Sequence, residues 1–491
     1  MIEAHNKTIL RRKCKALNLT KSMDYPDAAY QEDYNEINKL IQEGYRYSDV
    51  LCELSSMWGF DKAMIFAKKS SRVIETHSCI QTIATSYYRS YNGGIERSNA
   101  TLMSMFSKMG YKVIFFTEEE PTKDDYNSPV EVERIIVPGL SNICERLKLL
   151  QTACEEHGVD LFINHYWSST ETLWELLLFR MLQIPYIYYT HGLFTYGLFS
   201  TESNMSRFDL YRISDLVLTL AEVNVMFYRS LGCNTYLVQN PIPDELLTTK
   251  VKHEAPTNRI LMIGRISGEK RPMDALKIFN NVHSIAKDVY LDIVGDGDDE
   301  LVSEMHKYVK MNNLTDRVIF HGFKNGDSIE EYYKKATCVL LTSETEGYGY
   351  VILESKAYGV PLVMYDLPYL SLTMDDLGVL KATLGDINRM SELVISLMNN
   401  SDVRRIKAKE AAQSFEKIKK LSAEKEWSRI FEHFEDGKVL DDGIVIDKSS
   451  EQAVRLLIES TTESLYSNRD YQFGKKLLKY PRLVKKALRR L

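Results

Sequence analysis

The sequence contains no long apolar run. Its most apolar stretch, TLWELLLFRMLQIPYIYY, is interrupted by Glu175, Arg180 and Pro185, so it is not typical of a segment that spans a bilayer. The first residues, MIEAHNKTILRRKCKAL, lack the continuous apolar core of a signal peptide. These two absences predict a cytoplasmic protein.

Cysteine is scarce and unpatterned. The seven cysteines are scattered, odd in number and contain no C-x-x-C pair. Neither a disulfide framework nor a zinc site is indicated, because both use closely spaced or evenly paired cysteines. We therefore expect free, small, buried side chains in a reducing compartment.

Several catalytic signatures are also missing. The sequence has no G-x-S-x-G elbow, no Walker A loop, no complete G-x-G-x-x-G and no repeat of 20 to 50 residues. The net charge of −6 argues against a general nucleic-acid-binding protein, which needs an extended basic face. What remains is an ordinary globular composition, with 44% apolar and 26% charged residues.

Short apolar runs alternate with amphipathic ones, which predicts parallel sheets covered by helices on both faces. The pattern pauses at the polar, Pro-containing segment 238–258 and then restarts. Two α/β units of this kind form a cleft between the carboxyl ends of their strands, where ligands bind. The predicted strands are 80–86, 111–117, 159–165, 185–191 and 215–220 in the first unit, and 259–264, 289–295, 317–322, 337–343 and 360–366 in the second.

The stretch ETEGYGYVILES places a glycine-rich turn between a buried strand and a helix. Such a turn directs backbone N–H groups and the positive helix end toward the cleft, which favours a ligand rich in phosphate or hydroxyl groups. Glu346 lies in the turn, and Glu354 follows about two helical turns later. Both carboxylates suit sugar hydroxyls. The alternative is that Glu346 caps the helix and Glu354 lies on the surface.

A second turn, IGRISGEKRP, follows the first strand of the second unit. Arg265 and Lys270 flank the helix that begins near Pro272, and together they suit a diphosphate, although a solvated basic loop is the alternative. In the first unit, Gly94 of SYNGGIER occupies the corresponding position. IVGDGDDE is interpreted as a further turn, in which Gly295 and Gly297 let the backbone approach a neighbouring group closely, rather than as a metal site.

Two histidines end strands of the first unit at the predicted cleft. His191, followed by a glycine, is the stronger candidate for a functional role, and His165 is the weaker one. A structural role is the alternative for both residues.

Taken together, these motifs resemble those of a known family, the family 4 retaining glycosyltransferases. EGYGYVILE matches its E-x7-E signature, and ESKAYGVPLV resembles the element that usually follows. GRISGEKR, VGDG, FHGF and NGGIER are similar to further family motifs. The resemblance runs from about residue 80 to 435 with the motifs in the expected order.

The resemblance implies a GT-B fold, in which two Rossmann-like domains hold a nucleotide-diphosphate sugar between them. Catalysis would need no metal and no cofactor. The resemblance divides the chain into an acceptor domain (76–245) and a donor domain (246–435). The residue pattern adds a helical extension (1–75), for which the family offers no counterpart, and a linker with a basic tail (436–491).

The family's functional residues carry over to this sequence as expectations. Arg265 and Lys270 would bind the diphosphate and stabilise the leaving nucleotide, Glu354 would hold the ribose, and His191 would contact the sugar near the reacting carbon. Glu346 would hold the transferred sugar, and Gly94 would lie against the phosphates. The remaining expected donor-binding residues are Gly264, Gly295, Gly297, Gly347, Tyr348, Gly349 and Tyr350.

Departures from the family pattern leave alternatives open. Tyr348 and Tyr350 replace the usual Phe and Leu, which is expected to alter the choice of sugar. VQNPI resembles the family element that ends the first domain, but Gln239 and Pro241 depart from that element and weaken the match. A non-catalytic partner of another transferase, or a different GT-B enzyme, remains an alternative, although Arg265, Lys270 and Glu346 are present. The sugar and the nucleotide are not identified by the sequence.

The segment 471–491 carries eight Lys or Arg and no acid, interspersed with leucines. Two short basic amphipathic stretches of this kind are typical of chains that lie on an anionic membrane surface, although a solvated helix is the alternative. With the family resemblance, this favours a lipid-linked glycan acceptor in bacterial cell-surface polysaccharide synthesis. A protein or teichoic-acid acceptor is the other possibility.

Deleting 471–491 is expected to release the protein from anionic membranes without removing donor binding, because the tail lies outside the predicted cleft. Co-sedimentation with vesicles and nucleotide-binding assays measure the two effects separately. A truncated chain that still sediments with the vesicles would show that another surface holds the membrane.

Overall fold

The computed structural model describes residues 10–11, 13–14, 27–70, 79–91, 93–123, 125–126, 131–166, 169, 171–195, 205–249, 257–324 and 327–445. The predicted basic tail, 471–491, lies outside these residues.

The first α/β unit is built on a seven-stranded parallel sheet with the strand order β3-β2-β1-β4-β5-β6-β7. Its central strands are buried along their whole length, because helices cover both faces. The strands are β1 Thr82–Ser86, β2 Lys112–Thr117, β3 Glu133–Ile136, β4 Leu161–Asn164, β5 Tyr186–Thr190, β6 Leu216–Thr219 and β7 Thr235–Leu237.

The second unit is a six-stranded parallel sheet with the order β10-β9-β8-β11-β12-β13. The strand order reverses between β8 and β11, as it does between β1 and β4 in the first sheet. The strands are β8 Arg259–Ile263, β9 Tyr290–Val294, β10 Val318–Phe320, β11 Ala336–Leu341, β12 Leu362–Tyr365 and β13 Val379–Ala382.

Helices connect the strands and extend the first unit at its amino-terminal side. Those of the extension and the first unit are α1 Asp27–Gln42, α2 Tyr47–Ser55, α3 Phe60–Lys69, α4 Gly94–Lys108, α5 Ile143–His157, α6 Thr172–Met181, α7 Met205–Ile213, α8 Glu222–Ser230 and α9 Asp244–Leu247. Those that follow are α10 Pro272–Ile285, α11 Asp299–Met311, α12 Asp327–Lys335, α13 Tyr350–Ala357, α14 Ile387–Asn399, α15 Ser401–Ile418 and α16 Ala423–Asp436.

The predicted two-unit α/β architecture is confirmed, and each predicted strand is present. The prediction missed β3, β7 and β13, which are all edge strands. Strand β3, for example, is only partly buried. Edge strands of this kind lack the continuous apolar run by which a buried parallel strand is recognised.

The extension is helical, as predicted, and α2 packs against α5 and α6 of the first unit. The expectation that every cysteine is free was wrong, since Cys52 in α2 and Cys144 in α5 form a disulfide. The two residues are 92 positions apart in the chain, with Cα atoms 4.8 Å apart. Only the packing of α2 on α5 brings them together, so their spacing in the sequence gave no signal.

The last described helix, α16, packs against the first unit although it follows the second in the chain. The ring centroid of Trp427 lies 4.9 Å from that of Phe106, and that of Phe431 lies 4.8 Å from that of Tyr111. The assignment of 246–435 to the second unit stays a prediction. The apolar face of α16 belongs to a buried cluster that contains residues of both units.

None of the helices in the described part of the chain combines the length and apolar character needed to cross a bilayer.

Replacing Trp427 with Ala should destabilise the protein by about 3 to 5 kcal/mol, because the fully buried indole fills the contact between α16 and the first unit. Urea denaturation followed by circular dichroism measures the change. Leu421→Ala, at a position that is 56% exposed, is the matched control and should leave the midpoint unchanged. Equal midpoints for the two variants would contradict this packing role.

Candidate active site

A cavity of about 500 Å³ lies between the carboxyl ends of the two sheets. The loops that follow β1, β5, β8, β9 and β11 line it. The structure thus brings almost all predicted site residues to one place. The predicted residues that line the cavity are Gly94, His191, Gly264, Arg265, Lys270, Gly295, Glu346, Gly347, Tyr348, Gly349, Tyr350 and Glu354.

Lys270 and Glu346 form an ion pair within this cavity. Lys270 Nζ donates to Glu346 Oε1 at 2.6 Å, and Ser343 Oγ donates to the same oxygen at 2.6 Å. The backbone N–H of Glu346 donates to the hydroxyl oxygen of Tyr369 at 3.1 Å. Both side-chain contacts of Glu346 use Oε1, so Oε2 is the carboxylate oxygen that can accept from a ligand hydroxyl.

Arg265 is held by Glu269 at the same side of the cavity. Arg265 Nη2 donates to Glu269 Oε1 at 2.8 Å, and Ser267 Oγ donates to that oxygen at 2.6 Å. Burial alone would raise the pKa of Glu269, but the hydrogen bonds from Ser267 and Arg265 lower it. Glu269 therefore stays ionised and holds the guanidinium close to the cavity.

Glu354 makes a contact that the sequence analysis missed. Its Oε1 accepts from Arg97 of α4, which belongs to the first unit, and its Oε2 accepts from Tyr333 Oη at 2.6 Å. Arg97 also donates to Glu245 at 3.0 Å and lies 5.1 Å from the ring centroid of Tyr350. Arg97 therefore joins the two units. Its signal in the sequence was its place as the last residue of the NGGIER motif.

Tyr350 is also placed at the meeting point of the units. A Cβ added at Gly94 would lie 3.7 Å from the Tyr350 ring, so the first turn of α4 faces the first turn of α13. Tyr348 is buried beside it, with the two ring centroids 5.4 Å apart. Their expected influence on the choice of sugar stays a prediction.

Two of the glycines permit close backbone approaches. A Cβ at Gly347 would lie 1.6 Å from the carbonyl oxygen of His191, across the boundary between the units. A Cβ at Gly295, whose φ is +144°, would lie 1.9 Å from the carbonyl oxygen of Gly264. A side chain at either position would push the facing loops apart.

Gly297 is the predicted site residue that does not line the cavity. It packs against the backbone of Ile266, where an added Cβ would lie 1.9 Å from the carbonyl oxygen. Another group does lie close to the backbone at Gly297, as expected. That group is the protein's own backbone at Ile266.

The two histidines form a pair. His165 Nδ1 lies 2.8 Å from His191 Nε2, and the ring centroids are 5.1 Å apart. Burial lowers the pKa of His191 to about 3. Burial, followed by the neighbouring His191, lowers the pKa of His165 well below its ordinary value. Both imidazoles are therefore neutral at physiological pH.

Glu96 is a further buried carboxylate that the sequence analysis did not single out. Arg89 Nε donates to Glu96 Oε1 at 2.7 Å. Burial raises the pKa of Glu96, and the hydrogen bond from Arg89 opposes that rise. Glu96 follows Gly94 by two positions in the first turn of α4, and its signal in the sequence was its place in the NGGIER motif.

The site combines cations with two helix amino-termini. The helix α10 begins directly after Lys270 and Arg271, and α13 begins after Gly349, whose φ of +84° suits glycine. Cations and free N–H groups at a helix start stabilise an anion such as a diphosphate. In the described part of the chain, no three His, Cys, Asp or Glu side chains form a cluster that could hold a metal ion.

Replacing Gly347 with Ala should lower turnover at least tenfold, since the new methyl group would overlap the His191 carbonyl and displace the loops that face the ligand. Steady-state kinetics measure the loss. Gly268→Ala is the matched control, because nothing lies within 4 Å of a Cβ at that position. Equal activity of both variants would show that the close approach has no role in turnover.

Two family models match this chain. The model for Glycosyltransferase Family 4 matches residues 92–245, and the model for Glycosyl transferases group 1 matches residues 245–415. The boundary between them falls in the linker that joins the two sheets. Together they span residues 92–415, which include most of both units and every predicted residue that lines the cavity.

Individual relatives agree with these models. An uncharacterized glycosyltransferase of Methanocaldococcus jannaschii is 22% identical over 340 residues, which are 66% of this chain and 90% of the relative. The poly(glycerol-phosphate) alpha-glucosyltransferase of Bacillus subtilis is 25% identical over 172 residues, which are 35% of this chain and 25% of the relative. The chain thus matches about a quarter of that second relative's length.

A solved structure shares the fold. The S. aureus TarM variant in complex with fondaparinux, alpha-GlcNAc-glycerol and UDP superposes with a TM-score of 0.58 and 12% identity, covering 72% of this chain and all of that one. The two matched models, the paired parallel sheets and the cavity between them agree on one assignment. The chain belongs to the family 4 GT-B glycosyltransferases and is a glycosyltransferase.

Proposed function

We propose that this enzyme transfers a sugar, with retention of anomeric configuration, from a nucleotide-diphosphate sugar to a hydroxyl of a lipid-linked glycan in cell-surface polysaccharide synthesis. The observation that carries the proposal is the Lys270–Glu346 pair at 2.6 Å, which lies with Arg265 in the cavity between the units. It combines a cation for a diphosphate with a carboxylate for a sugar.

The cations suit the departing nucleotide. Lys270 uses one of its three N–H groups on Glu346, so two remain for phosphate oxygens. Arg265 contacts Glu269 through Nη2 and is 53% exposed, so the rest of its guanidinium fork can reach a ligand. Preorganised cations and N–H dipoles stabilise the negative charge that develops on the leaving diphosphate.

The anomeric configuration is retained because the acceptor hydroxyl attacks the sugar on the same face that the phosphate leaves. The bond between the anomeric carbon and the phosphate oxygen breaks, the acceptor oxygen bonds to that carbon, and the acceptor proton passes to the departing phosphate. In this scheme neither Glu346 nor Glu354 acts as a nucleophile. Their ion pairs with Lys270 and Arg97 support this role, because a carboxylate held by a cation is a weak nucleophile.

The ribose role proposed for Glu354 has to accommodate its contacts with Arg97 and Tyr333. A carboxylate offers about four lone-pair positions, and these two contacts use one position on each oxygen. The remaining positions suit ribose hydroxyl donors. On this proposal Arg97 holds the carboxylate in place while the ribose binds.

The acceptor is proposed from the basic tail and from the relatives. A tail of eight cations suits an anionic membrane surface, which places the enzyme next to a lipid-linked glycan. A glycerol-phosphate polymer is the second candidate acceptor, favoured by the similarity to the B. subtilis transferase. The UDP in the S. aureus structure supports a uridine nucleotide as the first donor to test.

The donor can be identified by incubating the purified full-length chain with UDP-glucose, UDP-galactose, UDP-N-acetylglucosamine and GDP-mannose. Slow hydrolysis in the absence of acceptor should release nucleotide from one of them. Adding either a lipid-linked glycan or a glycerol-phosphate polymer should then accelerate the release. The acceptor that does so distinguishes the two candidates, and NMR of the product shows its anomeric configuration.

Replacing Lys270 with Ala should lower kcat about 10²- to 10³-fold, since one preorganised cation at the leaving diphosphate is lost. Nucleotide release from the active donor measures the effect. Lys277→Ala, at a half-exposed position on α10, is the matched control and should turn over like the wild type. Full activity of the Lys270 variant would contradict the proposed mechanism.

Chelation of divalent cations by EDTA should leave the initial rate unchanged, because Arg265 and Lys270 supply the positive charge that a metal would otherwise provide. The rate before and after dialysis against EDTA measures this. A loss of activity that Mg²⁺ or Mn²⁺ restores would show that the enzyme uses a metal ion.

A further inference from the structure

His165 contacts the histidine that is expected to meet the transferred sugar. It follows β4, whereas His191 follows the neighbouring strand β5, and the two rings are nearly parallel, at 22°. His165 is 2% exposed, and its backbone N–H donates to the carbonyl of Ser86 at 3.0 Å. Its backbone is therefore held by the sheet, and its ring is buried.

The contact joins specific ring nitrogens. His165 Nδ1 faces His191 Nε2 at 2.8 Å, and His165 Nε2 is buried without a hydrogen-bond partner. His191 lines the cavity, and Nδ1 is the ring nitrogen that the pair leaves unused. In a pair of neutral imidazoles, one nitrogen of the contact carries the shared proton and the other accepts it.

The buried Nε2 of His165 decides the direction of this hydrogen bond. If His191 were the donor, His165 would carry its own proton on Nε2, as a buried N–H group without an acceptor. Orphaned N–H groups are rarer in proteins than unpaired acceptors. If His165 donates instead, its Nε2 is a bare lone pair, and the proton of His191 must lie on Nδ1.

We infer that His165 is a positioning residue: it donates Nδ1–H to His191 Nε2 and so fixes His191 in the tautomer that offers an N–H donor to the transferred sugar. The group it recognises is an acceptor oxygen of that sugar. This rests on the proposed function, in which His191 contacts the sugar.

The surroundings of His191 support a fixed donor. Its backbone carbonyl lies against Gly347, and the ring of Tyr189 lies 4.4 Å from its own. Both the position and the tautomer of the imidazole are then set before the donor binds. A preorganised hydrogen bond of this kind contributes to the rate because it needs no reorganisation during the reaction.

The tautomer can be measured on the full chain without any substrate. The chain has ten histidines, so ¹⁵N-histidine labelling gives few ring signals, and His191→Asn assigns those of His191. We expect two-bond proton–nitrogen correlations to show the His191 proton on Nδ1. A proton on Nε2 would overturn the inference.

Two variants test the consequence for turnover. His165→Leu removes the donor and should lower kcat about five- to tenfold, the value of one hydrogen bond, with a smaller change in the donor KM. His165→Asn keeps an N–H near the position of Nδ1 and should restore most of the rate. Equal loss in both variants would show that His165 acts by packing alone and would overturn the inference.

The two proposals can fail separately. If none of the four nucleotide sugars is hydrolysed, the proposed function fails, whereas the tautomer measurement still tests the His165–His191 hydrogen bond. If transfer occurs and His165→Leu matches the wild-type kcat, the proposed function stands and the positioning role is overturned.

Discussion

The site depends on one electrostatic constraint: a carboxylate removed from water needs a cation beside it. Five carboxylates line the cavity among the described residues, and each of them except the exposed Asp296 contacts a different basic side chain. The pairs are Glu96–Arg89, Glu269–Arg265, Glu346–Lys270 and Glu354–Arg97. Three of these pairs lie within one unit, whereas the Arg97 pair crosses from the first unit to the second. The same charge pairing that stabilises the buried acids therefore also joins the two sheets.

Close backbone contacts also join the two units. Gly347 lies against the His191 carbonyl, so the glycine-rich turn of the second unit reaches the strand ends of the first. The helix α16 returns to the first unit through Trp427, and its Glu426 accepts from the backbone N–H of Gln239 in the linker. The chain therefore crosses between the units twice, once through the linker and once where α16 returns to the first unit.

The chemistry follows from this preorganisation. Lys270 and Arg265 are already positioned by Glu346 and Glu269, so a diphosphate would meet cations whose orientation is set in advance. On the proposed roles, Glu346 offers Oε2 to the sugar, and His191 is neutral because burial disfavours its charged form. A neutral imidazole suits hydrogen bonding to a sugar better than binding a phosphate. Lys270 and Arg265 would then meet the nucleotide diphosphate, whereas His191 and Glu346 Oε2 would meet the sugar.

The sequence alone predicts the linker and the strands of both sheets except three at the edges, and twelve of its thirteen predicted site residues line the cavity. It could do so because buried parallel strands are apolar throughout, and because glycine turns with nearby charges mark strand ends. The pairing of distant residues is visible only in the folded chain: Arg97 meets Glu354, Cys52 meets Cys144, and His165 meets His191. Such contacts depend on how helices and units pack, and no spacing along the chain encodes them.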